Sequence, residues 1–455
     1  MSDLTELSAT ALAAGIKAGA LSAVDVVQAH LRKIEAQNAT LHSWVCVASD
    51  LALNEAKAVD EARANGAPPL RKLSGVPFAV KDIINTKDLP TQMGSPIWKG
   101  FTPGNDARVV FDLRQQGAVM LGKTVTAEFA VHQLGDTVNP HDASRNPGTS
   151  SSGSAVAVAT GQAPIALATQ TAGSIVRPAS YCGIYGFKPS FGLLPRTAML
   201  KTTDSLDTVG FMARGAEDLR LVFDVVRVKG ENFPISHAAL SDESRQTKPA
   251  GRPWRVLVAR PHTWHNVQPE ARALFEAELQ RWAKESDIRL EEAQLPESTR
   301  QAHEIHARIY ERTLAYYFAE EAKKHQLISP VLNGMIERGR ETTLDQYTQA
   351  LAQQAAVAGE LDAFLTSYDA VVTLSTSGEA PLRDGAELPD SCLLWTLAGV
   401  PALNVPALRS AKGLPIGIQL VARRYNDYLL LRFLDTLVER GLAPRGPMPV
   451  QKAAS

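Results

Sequence analysis

The sequence predicts an α/β protein, in which a β-sheet is covered by helices on both faces. Strand-like and helix-like segments alternate through residues 75–171. The strand-like segments are short apolar runs without the polar–apolar alternation of a half-exposed sheet, so we expect them to be buried on both faces. The chain has 455 residues, 45% of them hydrophobic, which is enough to bury the large core of such a fold.

The elements follow from local signals. Ser22 and Asp25 mark a helix start, and the apolar residues after them recur at helical spacing up to about residue 35. Glycine and proline open the first strand, and a glycine ends the small-residue helix. In order, the further segments are a strand in "GVPFAVKDIIN" (75–85), a helix in "DARVVFDLRQQ" (106–116), a strand in "GAVMLG" (117–122), a helix in "SAVAVATG" (154–161) and a strand in "PIALATQT" (164–171).

The pattern changes after residue 215. The segment "WRVLVA" (254–259) predicts a strand, the spacing from Pro269 to Trp282 predicts a helix, and charged helical sequence continues to about residue 363. The Ser- and Lys-rich residues 241–252 predict a surface loop. Short apolar runs return in "YDAVVTLSTS" (368–377) and "AGVPALNVPAL" (398–408). Because no strong linker or repeat interrupts the chain, we predict one domain spanning residues 1–455.

Composition and charge argue against several classes of partner. A net charge of −1 disfavours binding to a nucleic acid or to a membrane surface. Three widely separated cysteines indicate a reduced compartment. No apolar stretch reaches the roughly 18 residues of a membrane span, and the N-terminal "MSDLTELSATALAAGIKAG" has acids where a secretory signal has bases. We therefore expect a cytoplasmic protein without a nucleic-acid or membrane partner.

Two familiar site motifs are matched only in part. The segment "GAVMLGKT" (117–124) has the letters of a phosphate-binding loop, but its apolar middle predicts a strand instead of a flexible turn. His303 and His306 lack the four-residue spacing of a helical zinc pair, and His262 and His265 have no evident third ligand. The sequence therefore predicts no nucleotide, no metal and no cofactor.

The segment "GTSSSGSA" (148–155) predicts a reactive site rather than a linker. It runs directly into a helix of Ala and Val, so its serines lie at a helix N-terminus, where free amides and the positive end of the dipole collect. One helix and one strand separate Ser150 from Ser174, and such a unit can bring both serines to one edge of a sheet. Neither serine has glycines both two residues before and two residues after it, as a G-x-S-x-G elbow requires.

A nucleophilic serine needs a base. The sequence places no credible histidine near either serine segment. Lys81 is set among apolar residues and is the available base, because burial lowers the pKa of a lysine and leaves a neutral amine. Taken singly, each element has a plainer interpretation: the serines as a loop or cap, and Lys81 as a strand-edge lysine or a partner for Asp82. Ser152 and Ser154 keep that interpretation, as capping or packing residues.

Lys81, the Ser-rich segment and Ser174 together resemble the amidase signature family, whose members carry a Ser–Ser–Lys triad. The resemblance extends over residues 73–95, 117–130, 146–190, 205–211 and 397–422. It implies the amidase signature fold, a central mixed, twisted β-sheet covered on both faces by helices. It also implies a signature core at about 65–215 and 366–440 and a variable, helix-rich, substrate-side portion at about 216–365.

The resemblance assigns roles to individual residues. Ser174 is similar to the nucleophile that attacks the amide carbonyl, and Ser150 to the bridging serine, held on a cis peptide, that passes the proton between Ser174 and Lys81. Ser151 is expected to support this network by hydrogen bonding. The oxyanion hole is expected to consist of the backbone amides of Thr171, Ala172, Gly173 and Ser174.

The residues around the nucleophile depart from the commonest family pattern. Gln170 stands where an acid is usual, Ala172 replaces a glycine, and Arg177 lies three residues past the nucleophile instead of two. These changes resemble the subgroup of bacterial malonamidase and the carboxybiuret hydrolases, in which the shifted arginine binds a substrate carboxylate. The resemblance therefore implies a substrate-binding role for Arg177, and pairing with a structural acid is the alternative.

Together these residues predict an amidohydrolase that cleaves the C–N bond of a small amide to a carboxylate and ammonia or an amine through a Ser174 acyl-enzyme. A preference for carboxylate-bearing amides, malonamate- or carboxybiuret-like, stays open, as does a homodimer. The alternative is the amidase subunit of a tRNA-dependent amidotransferase complex, which the near-neutral charge and the shifted arginine disfavour. The intact set of Lys81, Ser150 and Ser174 argues against a binding or scaffolding protein without activity.

Overall fold

The computed structural model describes residues 3–66 and 68–450. In these residues, eleven strands form one mixed β-sheet. In chain order they are β1 (Trp44–Val47), β2 (Pro77–Lys81), β3 (Val119–Thr124), β4 (Ile165–Gln170), β5 (Tyr185–Lys188), β6 (Thr208–Ala213), β7 (Trp254–Val258), β8 (Ile288–Glu292), β9 (Ala370–Leu374), β10 (Ala402–Arg409) and β11 (Pro415–Val421).

Helices flank this sheet. They are α1 (Ala9–Ala18), α2 (Ala23–Leu41), α3 (Ser49–Asn65), α4 (Arg108–Gln115), α5 (Ser152–Ala159), α6 (Val176–Cys182), α7 (Ala216–Val226), α8 (Pro234–Ser241), α9 (Glu243–Gln246), α10 (Pro269–Trp282), α11 (Ala302–Tyr317), α12 (Pro330–Glu341), α13 (Leu344–Phe364), α14 (Cys392–Leu397) and α15 (Asp427–Glu439). Within the described residues, none of the helices is both long and apolar enough to cross a membrane.

The strand order is β1-β3-β2-β4-β6-β5-β10-β11-β9-β7-β8. Strand β2 lies between β3 and β4 and runs parallel to both. The strands from β4 to β9 along this order are joined by antiparallel pairs, and β9, β7 and β8 are parallel again. Because parallel neighbours end at the same edge of a sheet, β2 and β4 bring Lys81 and Gln170 to one edge.

The middle of the sheet is covered on both faces. Every residue of β2 to β6 is buried. Successive side chains of a strand point to opposite faces, so full burial requires cover on each face. This confirms the α/β class and the mixed, helix-covered sheet that the sequence predicts.

Several predicted elements are present with different bounds. The strand predicted at 75–85 ends at Lys81, because the chain turns there and the amides of Ile83 and Ile84 bond back to the Lys81 carbonyl. Helix α2 continues well past the predicted end near residue 35. The surface loop predicted at 241–252 contains α9, so that prediction is wrong in part.

Strand β3 continues through Lys123 to Thr124, beyond its predicted end at Gly122. The charge of Lys123 is accommodated there because its amine lies 3.1 Å from Asp82 Oδ1 and donates to Thr91 Oγ1 at 2.7 Å. Asp82 therefore pairs with Lys123, and the plainer interpretation of Lys81 as a partner for Asp82 is wrong.

Candidate active site

Lys81 ends β2 with its side chain fully buried. Its amine nitrogen lies 2.5 Å from Ser150 Oγ and 2.9 Å from Thr169 Oγ1, which belongs to the neighbouring strand β4. Among the described residues, both hydrogen-bond partners of this amine are neutral hydroxyl groups. The parallel pairing of β2 and β4 thus places the lysine against the Ser-rich segment.

Burial lowers the pKa of the Lys81 amine well below its usual value, and the carboxylate of Asp207 opposes this shift only in part. A neutral amine carries a lone pair that accepts a proton from a hydroxyl group. The contact between Lys81 and Ser150 can therefore carry a proton in either direction.

Ser150 adopts a left-handed backbone conformation, with φ at 66°. A non-glycine residue in this region costs of order 1–3 kcal/mol, and such strain is concentrated at functional sites. The surrounding chain enforces it, because the loop packs directly on the first turn of α6. A Cβ added to Gly148 would lie 2.3 Å from Pro178 Cα, so only glycine permits this approach.

The serines after Ser150 anchor the loop to the sheet. Ser151 donates its hydroxyl to the Thr169 carbonyl at 3.3 Å. Ser154 donates to the Leu167 carbonyl at 3.0 Å and lies 2.7 Å from Thr124 Oγ1. The packing role predicted for Ser154 is confirmed, and α5 is tied to both β3 and β4.

Ser174 lies in the turn between β4 and α6. From residue 161 to residue 190 it is the one residue that is half-buried, and all the others are buried. No described side chain bonds to its hydroxyl, so the structure joins Lys81 to Ser150 but does not join Ser150 to Ser174 by a hydrogen bond. A free hydroxyl at an opening in a buried segment is available to a bound substrate.

The turn that precedes Ser174 is held by its carbonyl groups. His306 Nε2 donates to the Thr171 carbonyl at 2.9 Å, and Thr396 Oγ1 donates to the Ala172 carbonyl at 2.7 Å. In a trans peptide the following N–H points away from the carbonyl, so the amides of Ala172 and Gly173 face the other side. Among the described residues these two amides have no acceptor. They can therefore stabilise an oxyanion.

Two side chains fix the ends of this turn. The Gln170 amide oxygen accepts hydrogen bonds from the backbone amides of Ile175 and Val176 at 2.8 and 3.0 Å, which caps α6. The Gln170 Nε2 group donates to Thr396 Oγ1 at 2.9 Å, a contact that an acid at this position would lack unless protonated. The Thr171 hydroxyl donates to the buried Asp207 carboxylate at 2.7 Å.

Arg177 lies in the first turn of α6, and its guanidinium packs against Gly173, where an added Cβ would lie 2.7 Å from Nη2. Its Nε donates to Asp390 Oδ2 at 2.7 Å and its Nη1 donates to Glu387 Oε2 at 2.9 Å. Burial lowers the pKa of the guanidinium, but these two carboxylates outweigh burial and hold the pKa well above its usual value. Arg177 thus pairs with acids of the chain, as the alternative anticipated, and Nη2 has no partner among the described residues.

A cavity of about 690 Å³ lies beside the two serine segments, although Lys81, Ser150 and Ser174 are not among the residues that line it. It reaches Thr149, which precedes Ser150, and Ala172 of the turn before Ser174. Arg177 also lines it. This volume is ample for a small amide.

Histidines do lie near the serine segments in the fold, although none of them bonds to a serine hydroxyl among the described residues. His132, His303 and His306 all line the cavity, and His306 bonds to the turn before Ser174. Burial lowers the pKa of His306 to about 4, so its ring is neutral. Its Nε2 carries the hydrogen and donates it in the hydrogen bond to the Thr171 carbonyl. Because His306 contacts a carbonyl and not a serine hydroxyl, it is not positioned to act as a base for Ser150. The described residues form no group of three or more His, Cys, Asp or Glu side chains that could hold a metal.

A buried amine against a serine hydroxyl, beside a turn with free amides, is suited to acyl transfer through a serine. A family model described as Amidase matches residues 25–431, and the chain belongs to this family. The family predicted from the sequence is therefore confirmed.

Individual relatives cover almost the whole chain. A glutamyl-tRNA(Gln) amidotransferase subunit from Koribacter versatilis is 29% identical over 485 residues, covering 97% of this chain and 99% of the relative. The corresponding subunit from Chloroflexus aurantiacus is 32% identical, covering 96% of each chain. These relatives do not single out the malonamidase and carboxybiuret hydrolase subgroup.

Solved structures that are similar to this chain support the same family. A chain of an inhibitor-bound vestigial protein complex, described as revealing the evolutionary origins of an s-triazine catabolic enzyme, superposes with a TM-score of 0.85 at 27% identity, covering 96% of this chain and 100% of that one. The native peptide amidase from Stenotrophomonas maltophilia has a TM-score of 0.80 at 27% identity, covering 98% and 99%. The mixed sheet and its helical layers are therefore those of an amidase.

Proposed function

We propose that this chain hydrolyses the C–N bond of a small amide, releasing a carboxylate and ammonia or an amine. The observation that carries the proposal is the buried, hydroxyl-bonded Lys81 amine against Ser150, at the sheet edge where Ser174 leaves a free hydroxyl. In this account Ser174 is the nucleophile, Ser150 the bridge and Lys81 the base.

In the proposed reaction, these residues act in turn. Ser174 Oγ attacks the amide carbonyl carbon, and its proton passes through the Ser150 hydroxyl to the neutral Lys81 amine. The negative charge that develops on the carbonyl oxygen is stabilised by the amides of Ala172 and Gly173, with those of Thr171 and Ser174 beside them. The C–N bond breaks as the proton returns to the leaving nitrogen. Water then attacks the acyl-enzyme by the same route and releases the acid.

A carboxylate-bearing amide, malonamate- or carboxybiuret-like, is the substrate class that Arg177 would favour. Its Nη2 group lies against Gly173, beside the turn before Ser174, and lines the cavity with the rest of the side chain. Because Asp390 and Glu387 already bind Nε and Nη1, a substrate carboxylate would contact the guanidinium at Nη2 alone. We therefore expect a modest preference for acids. The similarity to the s-triazine catabolic complex supports a small, nitrogen-rich substrate.

A panel of amides tests the reaction class. We expect the purified chain to release ammonia from at least one of the malonamate-like, biuret-like, aliphatic or aryl amides, with no change on addition of a chelator. Ammonia release is measured by a coupled assay. Absence of release from every member, or a requirement for added zinc, contradicts the proposal.

The substitution Arg177→Lys tests the carboxylate contact. Lysine keeps the charge but cannot contact Asp390, Glu387 and a substrate at once, because it lacks the planar fork. We expect kcat/KM for malonamate to fall about tenfold further than kcat/KM for malonamide, a neutral amide of the same size. Circular dichroism and thermal unfolding establish that the variant is folded. An equal loss of kcat/KM on both substrates would show that the role of Arg177 is purely structural.

The second candidate is the amidase subunit of a tRNA-dependent amidotransferase complex. Relatives of that description align with nearly the whole chain at 29–32% identity, which favours this candidate as much as the first. The two candidate functions differ in whether the chain needs partner molecules in order to be active. An independent amidohydrolase acts alone on small amides, whereas a component of such a complex would release ammonia from glutamine only in the presence of its partner proteins and charged tRNA. Turnover of malonamate by the isolated chain, without glutamine hydrolysis, would separate them.

A further inference from the structure

Glu387 connects the two halves of the candidate site. Its Oε1 accepts the Thr149 hydroxyl at 2.6 Å and the Asn146 amide nitrogen at 3.0 Å. Its Oε2 accepts Arg177 Nη1 at 2.9 Å. Thr149 directly precedes Ser150, and Arg177 lies three residues beyond Ser174. The Glu387 carboxylate therefore bonds to a residue close in sequence to each of the two serines.

Glu387 belongs to residues 375–391, which connect β9 to α14, and it lines the cavity. Its side chain is 18% exposed, whereas the side chain of Asp390, the other acid on Arg177, is 2% exposed. Asp390 also accepts the Cys392 backbone amide at 3.0 Å, which anchors it at the start of α14. Both acids line the cavity, and Glu387 is the more exposed of the two.

A guanidinium binds a carboxylate most strongly when two parallel N–H groups donate to its two oxygens. Nη1 and Nη2 form the end-on pair of Arg177, and Glu387 holds Nη1. A substrate carboxylate can therefore form the two-point contact only by displacing Glu387, and its charge is repelled by Glu387 while that residue stays in place.

We propose that Glu387 determines substrate specificity, because its carboxylate occupies the position on Arg177 that a substrate carboxylate would otherwise take. It limits acidic amides to a one-point contact at Nη2 and so reduces the preference for acidic over neutral amides. This inference rests on the proposed amide hydrolysis, with Arg177 facing the substrate.

The substitution Glu387→Gln tests this role, with Glu311→Gln as the matched control. Glutamine removes the negative charge and keeps an oxygen that can accept the Thr149 hydroxyl. Glu311 lines the same cavity, and its carboxylate pairs with Arg338 at 2.7 Å instead of with Arg177. The measured quantity is the ratio of kcat/KM for malonamate to kcat/KM for malonamide. We expect Glu387→Gln to raise this ratio about tenfold and Glu311→Gln to change it less than about twofold.

Binding of malonate gives a readout that does not depend on turnover. Calorimetry on the Glu387→Gln protein is expected to show a Kd about tenfold lower than that of the wild-type chain, and the Glu311→Gln protein should match the wild type. An unchanged ratio in a variant that still hydrolyses malonamide, or an unchanged malonate Kd, would overturn the role of Glu387. If the wild-type chain hydrolyses no amide, the proposed function fails, and the malonate measurement still decides whether Glu387 restricts access to Arg177.

Discussion

Replacing Ser174 with alanine is expected to lower kcat/KM for amide hydrolysis by at least about 10⁴-fold, because the hydroxyl oxygen forms the acyl bond. The fold should be unaffected, since this hydroxyl has no partner among the described residues and the side chain is partly exposed. The measurement is ammonia release together with thermal unfolding.

The control is Ser152→Ala, in the Ser-rich segment. The Ser152 hydroxyl is buried and has no hydrogen-bond partner among the described residues, so its removal should leave kcat/KM within about threefold of the wild type. Equal activity in the Ser174→Ala protein and the wild type, or an equal loss in both variants, would contradict the assignment of Ser174.

Replacing Lys81 with methionine is expected to lower kcat/KM by about 10²–10⁴-fold, the usual contribution of a positioned base. Methionine fills a similar volume, and only two hydroxyl contacts are lost. Because burial lowers the pKa of Lys81, the wild-type folded state binds fewer protons than the unfolded state between the two pKa values. Stability of the wild type therefore falls as the pH drops below the unfolded value, and the methionine variant escapes this penalty. Its Tm at neutral pH should equal or exceed that of the wild type.

The matched control for this variant is Lys123→Met, on the neighbouring strand. Lys123 is also buried, but it is paired with Asp82, so its removal leaves an uncompensated carboxylate. We expect a loss of about 3–5 kcal/mol in the free energy of unfolding, with the folded fraction still active. If Lys81→Met unfolds the protein and Lys123→Met abolishes turnover, the roles of the two lysines are reversed.

The activity of the wild type should also depend on pH in a defined direction. The neutral form of Lys81 is the base, so kcat/KM rises with pH through the lowered pKa of its amine and then levels. A rate that falls over the same range, measured on malonamide to avoid titration of the substrate, would contradict a lysine base.

The segments that hold the serines and the lysine could be predicted because their signals are local. Apolar runs mark β2 and β4, whereas their parallel pairing is seen only in the fold. The roles of Ser150 and Ser174 rest on the family resemblance, since a Ser-rich segment alone is more often a loop or a cap than a catalytic element. The strained φ of Ser150 and the free hydroxyl of Ser174 became visible only in the fold.

The residues that complete the site could not be predicted. His306 lies 135 residues from the Thr171 carbonyl that it holds, and Glu387 lies 210 residues from Arg177. Neither residue belongs to a local motif, because each acts through a partner that tertiary folding supplies. The family resemblance implies a substrate-binding role for Arg177, but its pairing with two acids depends on the loop that follows β9. That pairing is what limits the expected preference for acidic substrates.

The most direct test of the account is the position of the acyl-enzyme. The wild-type chain is treated with a fluorophosphonate or an activated ester, digested, and examined by tandem mass spectrometry, with the Ser174→Ala and Lys81→Met proteins in parallel. If Ser174 is the nucleophile and Lys81 the base, we expect a single adduct on Ser174 in the wild-type chain, much slower labelling in the Lys81→Met protein and no labelling in the Ser174→Ala protein. An adduct on Ser150 or on another residue, or full labelling of the Ser174→Ala protein, would contradict it.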